Sequence, residues 1–185
     1  MFIQTEQTPN PATLKFLPGR EVMAAGTADF PDAEAAGPSP LAMSLFAVDG
    51  VARVFLGSDF VSVTKSDASE WHLLKPTVLG AIMEHFMSGE PVLAEAAEEA
   101  PLAPAAEEGD EEIVGQIMEL LDTRVRPAVA QDGGDIIFHG FKQGIVYLQM
   151  QGACSGCPSS TATLKMGIEN MLRHYIPEVV EVRSI

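Results

Sequence analysis

Apolar residues recur along this chain in two rhythms, and the places where the rhythm changes mark the elements. Residues 2–5 and 13–17 are short apolar runs on either side of Pro9-Asn10-Pro11, a strong turn signal, and they predict two strands. Ser39-Pro40 reads as an N-cap followed by proline at the first helical position. Leu41, Leu45, Phe46 and Val48 supply the apolar face of that helix, which Asp49-Gly50 ends. Residues 51–56 and 60–64 predict a hairpin closed by Gly57-Ser58-Asp59. After Lys75-Pro76, residues Val78, Leu79, Ile82, Met83 and Phe86 repeat at helical spacing until Gly89.

The second half is more regular. Ile113, Ile117, Leu120 and Leu121 predict an amphipathic helix over 111–123, and Pro127 should break or kink any helix that reaches it. Asp132-Gly133-Gly134 is a turn, followed by a strand over 135–141. Lys142-Gln143-Gly144 reverses the chain into 145–151, where Val146, Leu148 and Met150 alternate. A helix over 159–175 presents Leu164, Ile168, Met171, Leu172 and Tyr175; Pro177 stops it, and 179–182 makes a last strand. Between the halves, residues 90–109 contain little but Ala, Glu and Pro, with too little to bury for a core, and Pro101 and Pro104 stand against one continuous helix over 94–108. The expected fold is α/β of the α+β type: two small two-layer domains, 1–89 and 110–185, joined by an acidic linker at 90–109. The second domain has the order α-β-β-α-β.

Composition narrows the partners. Apolar residues at 46% suffice for cores, and a formal net charge of −15 sets the chain against nucleic acid and anionic membrane, which would repel it. No apolar run approaches the roughly 18 residues that a membrane span needs. Residues 1–6 carry neither a basic, apolar leader pattern nor an Arg-rich transit pattern, so a soluble, reducing compartment is the expectation.

Chemistry concentrates in one place. Cys154 and Cys157 are the only cysteines in 185 residues, spaced Cys-x-x-Cys between the second strand and second helix of the second domain. The first turn of a helix has unpaired N–H groups and a partial positive charge, both of which favour thiolate. Gly152 and Gly156 allow close backbone approach, Pro158 fixes the exit of the loop, and no His, Asp or Glu lies within five residues of the pair. A sulfur-only set suits an iron–sulfur cluster or zinc rather than a hard cation. Both take about four thiolates, so two must come from elsewhere, most simply from a second copy. A thioredoxin-type dithiol and two inert buried cysteines are the other readings. His72, His85, His139 and His174 are scattered without ligand spacing, Trp71 and the nine methionines read as core or interface filler, and no nucleophile triad or phosphate loop is visible.

Gly152-Ala153-Cys154-Ser155-Gly156-Cys157-Pro158-Ser159-Ser160, running into 163–169, closely resembles the cluster-binding domain of the NifU-like (Nfu) iron–sulfur scaffold and carrier family. Arg126-Pro127-Ala128-Val129 and Asp132-Gly133-Gly134-Asp135 match the same domain. Thr8-Pro9-Asn10-Pro11, residues 15–19, Ser39-Pro40-Leu41-Ala42 and Leu45-Phe46 resemble the accessory domain of the family's longer members. The resemblance implies a carrier rather than an enzyme. It implies a 4Fe–4S cluster bridging two subunits through Cys154 and Cys157 of each, with 2Fe–2S or zinc as the weaker alternatives. It implies a homodimer when loaded, upstream cluster-assembly proteins and recipient apoproteins as partners, and no nucleic acid or membrane. The acidic form without a presequence resembles a bacterial cytoplasmic member, with a processed mitochondrial matrix protein as the alternative.

Overall fold

The computed structural model describes residues 2–94, 105–106, 108–155 and 158–185. The chain divides into two compact units, Met1–Ala100 and Pro101–Ile185, each with its own hydrophobic core.

In the first unit, β1 (Gln4–Gln7), β2 (Thr13–Leu17), β3 (Ala28–Phe30), β4 (Val51–Leu56) and β5 (Val61–Lys65) form one antiparallel sheet in the order β1-β2-β5-β4-β3. Helices α1 (Pro40–Phe46) and α2 (Trp71–Ser88) supply the other layer, with Leu41, Leu45, Leu74, Val78 and Ile82 buried in one core with Phe16, Val54, Leu56, Val61 and Val63. Ser39 caps α1 as expected: its Oγ accepts from Ala42 N–H at 3.1 Å, and its hydroxyl donates to Val92 O at 2.6 Å. Three features depart from the sequence reading, the first being β1, which lies two residues beyond the expected 2–5. Strand β3 has only three residues and no alternation to announce it; Asp29 on it pairs with Arg53 on β4. Helix α2 starts at Trp71 rather than after Pro76, so the proline lies inside the helix near its N-terminal end.

The expected linker at 90–109 is tied in at both ends. Val92 and Leu93 pack on the first core, and Ala94 N–H donates to Pro38 O at 2.8 Å. On the other side β6 (Ala105–Ala106) pairs in parallel with Gly140 and Phe141. Residues 95–104 and 107 lie outside the described residues.

The second unit is a four-stranded sheet in the order β6-β7-β8-β9, with β7 (Gly134–Lys142) and β8 (Ile145–Gly152) antiparallel and β9 (Glu181–Ser184) parallel to β8. Gln143 (φ 51°) and Gly144 (φ 79°) make the tight turn between β7 and β8, because a two-residue hairpin matched to strand twist needs positive φ at both positions. Helix α5 (Pro158–Tyr175) carries the chain across from β8 to β9. Tyr175, expected on its core face, is 47% exposed, and the Arg124 guanidinium stacks on its ring. The last strand lies two residues beyond the expected 179–182, because Val179 and Val180 are still in the loop that leaves α5.

The first helix of this unit does not end at Thr123. α3 (Glu111–Leu120) runs through a π-helical turn at Leu121–Val125 into α4 (Arg126–Gln131). The buried positions explain the wide turn. Ile117, Leu121, Val125 and Val129 are spaced by four, and in a straight α-helix each step of four overshoots by about 40°, carrying Val129 about 120° from Ile117. The wide turn absorbs that drift and keeps all four on the core. It also relieves Pro127, which has no N–H to give and would crowd the carbonyl one turn back.

Candidate functional site

The cysteine loop begins where the β7–β8 ladder ends, at the pair Gly134 and Gly152. α4 closes with backbone bonds from Asp132 N–H to Val129 O and from Gly133 N–H to Ala130 O, which turn the chain sharply into β7. Ala153 N–H donates to Gly133 O at 3.1 Å, and Ser155 N–H donates to Gly152 O at 3.1 Å. The Thr161 hydroxyl, in the first turns of α5, donates to Cys154 O at 2.9 Å. Three elements therefore hold the peptide of Cys154: the end of β8, the bend before β7 and the start of α5.

The thiol of Cys154 is directed inward. The residue is 5% exposed and belongs to the core with Ile136, Met150 and Ile168. A methyl group built on Gly134 would stand 2.8 Å from Cys154 Sγ, 2.7 Å from Gln151 O and 3.2 Å from Cys154 N. Only a residue without a side chain fits there, so the second glycine of Asp132-Gly133-Gly134-Asp135 is required by contact with the cysteine loop. The sequence reading explained these residues by turn chemistry alone and missed that contact. A turn needs one flexible residue; the second glycine was the available signal.

Arg126 braces the same bend from behind. Its Nε and Nη2 each donate to Ile136 O at 3.3 Å, its Nε lies 3.5 Å from Asp135 Oδ1, and its Nη1 lies 3.1 Å from Asp122 Oδ1. Asp135 is buried and opposes Gln151 across the ladder. The π turn puts Arg126 in register with the start of β7. Thus a helix irregularity positions the backbone that in turn positions the thiol.

Cys157 lies outside the described residues, so of the two expected ligands the structure places Cys154. Among the described residues no three His, Cys, Asp or Glu side chains converge as a metal site. Of the histidines, His85 is buried in the first unit, where His72 is exposed, and in the second His139 bonds Gln149 at 2.9 Å and His174 packs edge-on to Tyr175.

Comparison with known proteins places these features in a family. Residues 3–89 match the model "Scaffold protein Nfu/NifU N terminal", and residues 117–183 match the "NifU-like domain". "NifU-like protein 4, mitochondrial" of Arabidopsis thaliana is 56% identical over the whole chain, which spans 66% of that relative. The human "NFU1 iron-sulfur cluster scaffold homolog, mitochondrial" is 53% identical, with all of this chain aligned to 72% of it. The chain belongs to the NifU-like (Nfu) family. A solution structure of a NifU-like protein from Saccharomyces cerevisiae overlays 51% of the chain with 26% identity and a TM-score of 0.42. The two matches fall one in each compact unit, and the Nfu domain that holds both cysteines is the second. No described helix is long and apolar enough to cross a membrane.

Proposed function

We propose that this chain carries an iron–sulfur cluster as cargo, bound between two copies through Cys154 and Cys157 of each, and delivers it to recipient apoproteins. The supporting observation is the placement of Cys154. It sits at the junction of β8 and α5, on a peptide gripped from three sides, in a member of a family whose human relative is named an iron–sulfur cluster scaffold. A sulfur-only pair fits such a cluster chemically and leaves two coordination positions for the second copy. A 4Fe–4S cluster is the proposed form, with 2Fe–2S and zinc as the alternatives. The role is transfer rather than catalytic turnover.

Release follows from the same arrangement. An incoming thiolate from the recipient displaces one cysteine at a time, so no step exposes an unligated iron. The named compartments of the relatives favour the mitochondrial matrix over the bacterial cytoplasm expected from the sequence. Protein purified without oxygen should be brown and contain iron and acid-labile sulfide in equal amounts. Stoichiometric zinc in place of iron would support an interaction module instead, and disulfide reductase activity in metal-free protein would support a dithiol enzyme.

A further inference from the structure

Helix α2 turns one apolar face to the core of the first unit and leaves two large apolar side chains uncovered on another. Leu74, Val78, Ile82 and His85 face the core. On another face Leu73, Thr77, Gly80, Glu84 and Met87 repeat at 4-3-4-3 spacing, and all five are exposed. Leu73 is 70% exposed and Met87 76%, at the two ends of a stripe about 21 Å long.

Between this stripe and α1 runs a groove of about 520 Å³. Its lining mixes small apolar groups, Ala47, Gly80 and Ala81, with the hydroxyls of Ser44 and Thr77, and Met43, 54% exposed, stands one turn before Ala47. Gly80 has open space around the position a Cβ would take, so nothing within the unit requires a glycine there. Glycine inside a helix costs about 1 kcal/mol relative to alanine. A bare floor lets another backbone come close. The charged residues of the lining are Asp49 and Glu84, and among the described residues neither is in an ion pair.

We infer that this α1–α2 groove docks a cationic amphipathic helix of a partner protein. The length of the stripe matches about four helical turns. Leu73 and Met87 bracket the apolar face of such a helix, and a Lys or Arg beside that face meets Asp49 and Glu84. That the partner is a cluster recipient rests on the carrier role proposed above; the binding itself does not. The groove would then hold the recipient while the second unit hands over its cargo, raising the local concentration of one beside the other.

The test is a fluorescence titration of the full-length apo chain with a synthetic amphipathic helix of leucine, alanine and lysine, against the same peptide with glutamate at every lysine position. The lysine helix should bind saturably and the glutamate helix should not. Gly80→Leu, which fills the floor, and Glu84→Lys should each weaken binding by about tenfold or more. Glu34→Lys, an exposed charge reversal of the same size that is not among the groove's lining residues, should leave it within about twofold. An equal loss in Glu34→Lys would reduce the effect to bulk charge, and unchanged binding in Gly80→Leu would remove the groove; either overturns the inference. Sedimentation of the same samples decides one further outcome, since an apo dimer dispersed by Gly80→Leu would assign the face to a second copy instead. Cluster loading, read in parallel, separates the two proposals. Normal loading without helix binding defeats only the groove, whereas helix binding without any cluster defeats only the carrier role.

Discussion

At Gly134 the backbone itself is the contact surface for a sulfur atom. Adding one methyl group there brings it within 2.8 Å of Cys154 Sγ and 2.7 Å of the Gln151 carbonyl, and the second of these is main chain that cannot rotate away. Gly134→Ala should therefore destabilise the second unit by about 1–3 kcal/mol, visible in urea unfolding, and displace Cys154 enough to reduce cluster retention. Wild-type unfolding and absorbance in that variant would show that the loop yields freely. Cys154→Ser and Cys157→Ser test the ligand set more simply: each should abolish stable cluster absorbance, and holo-like absorbance in either would remove that residue from the site. The cysteine pair stood out in the sequence as a candidate site because its spacing and local composition point to thiolate chemistry. Gly134 was not, because no local pattern says which backbone will pass a thiol at close range.

His85 makes a second residue-scale prediction. It is buried, with neither ring nitrogen hydrogen-bonded among the described residues. Burial pushes its pKa below the ordinary 6.5, with Glu90 opposing and Arg20 adding to the shift. The folded chain thus refuses a proton that the unfolded chain accepts near pH 6.5, so stability falls as pH drops through that value and is regained above it. Urea midpoints of the apo protein should decline from about pH 7 to 5, and His85→Leu should flatten part of that slope. An unchanged slope in the variant would assign the pH dependence to other groups.

Elements followed the sequence wherever a local signal was strong. The Ser39-Pro40 helix start, the 51–65 hairpin and the β7–β8 hairpin stand as expected, and so do Ile117 and Leu121 of the first amphipathic face and Ile168 and Leu172 of α5, because caps, turn residues and periodicity each act over a few positions. The departures have a common cause in long-range packing. Strand β3 owes its pairing to β4 and an ion pair rather than to its own three residues. The N-cap residue of α2, Glu70, makes no side-chain cap bond, so the start of the helix left no mark and Pro76 looked like the beginning. The helical run passes Pro127 because the core wants Val129, which no window ending at Thr123 contains. Ser39 tests the local kind of signal: Ser39→Ala removes both the cap to Ala42 and the bond to Val92 O. It should cost about 2 kcal/mol in thermal or urea unfolding and speed hydrogen exchange around 92–94. A loss below about 0.5 kcal/mol would mean that the tie to Val92 contributes nothing.

At the scale of the whole molecule, two cores with no shared residue imply two separable folding units. A piece spanning 101–185 should fold and hold a cluster by itself. One beginning at 110 lacks β6 and leaves the edge of β7 open, so it should be less stable and more prone to aggregate. Transfer to a physiological recipient should be slower or less selective from either piece than from the full chain, because the first unit contains no cysteine and the role proposed for it is docking. Equal rates and selectivity would deny it that role. The central claim is that two chains share one cluster, and it is tested most directly by weighing the loaded protein and counting its iron. Anaerobically reconstituted chain, examined by native mass spectrometry with iron and sulfide analysis, should be a dimer with about four irons and four sulfides, and should revert to smaller species on removal of the cluster. A monomer that retains a complete cluster, or a dimer bridged by a single zinc, would contradict the account.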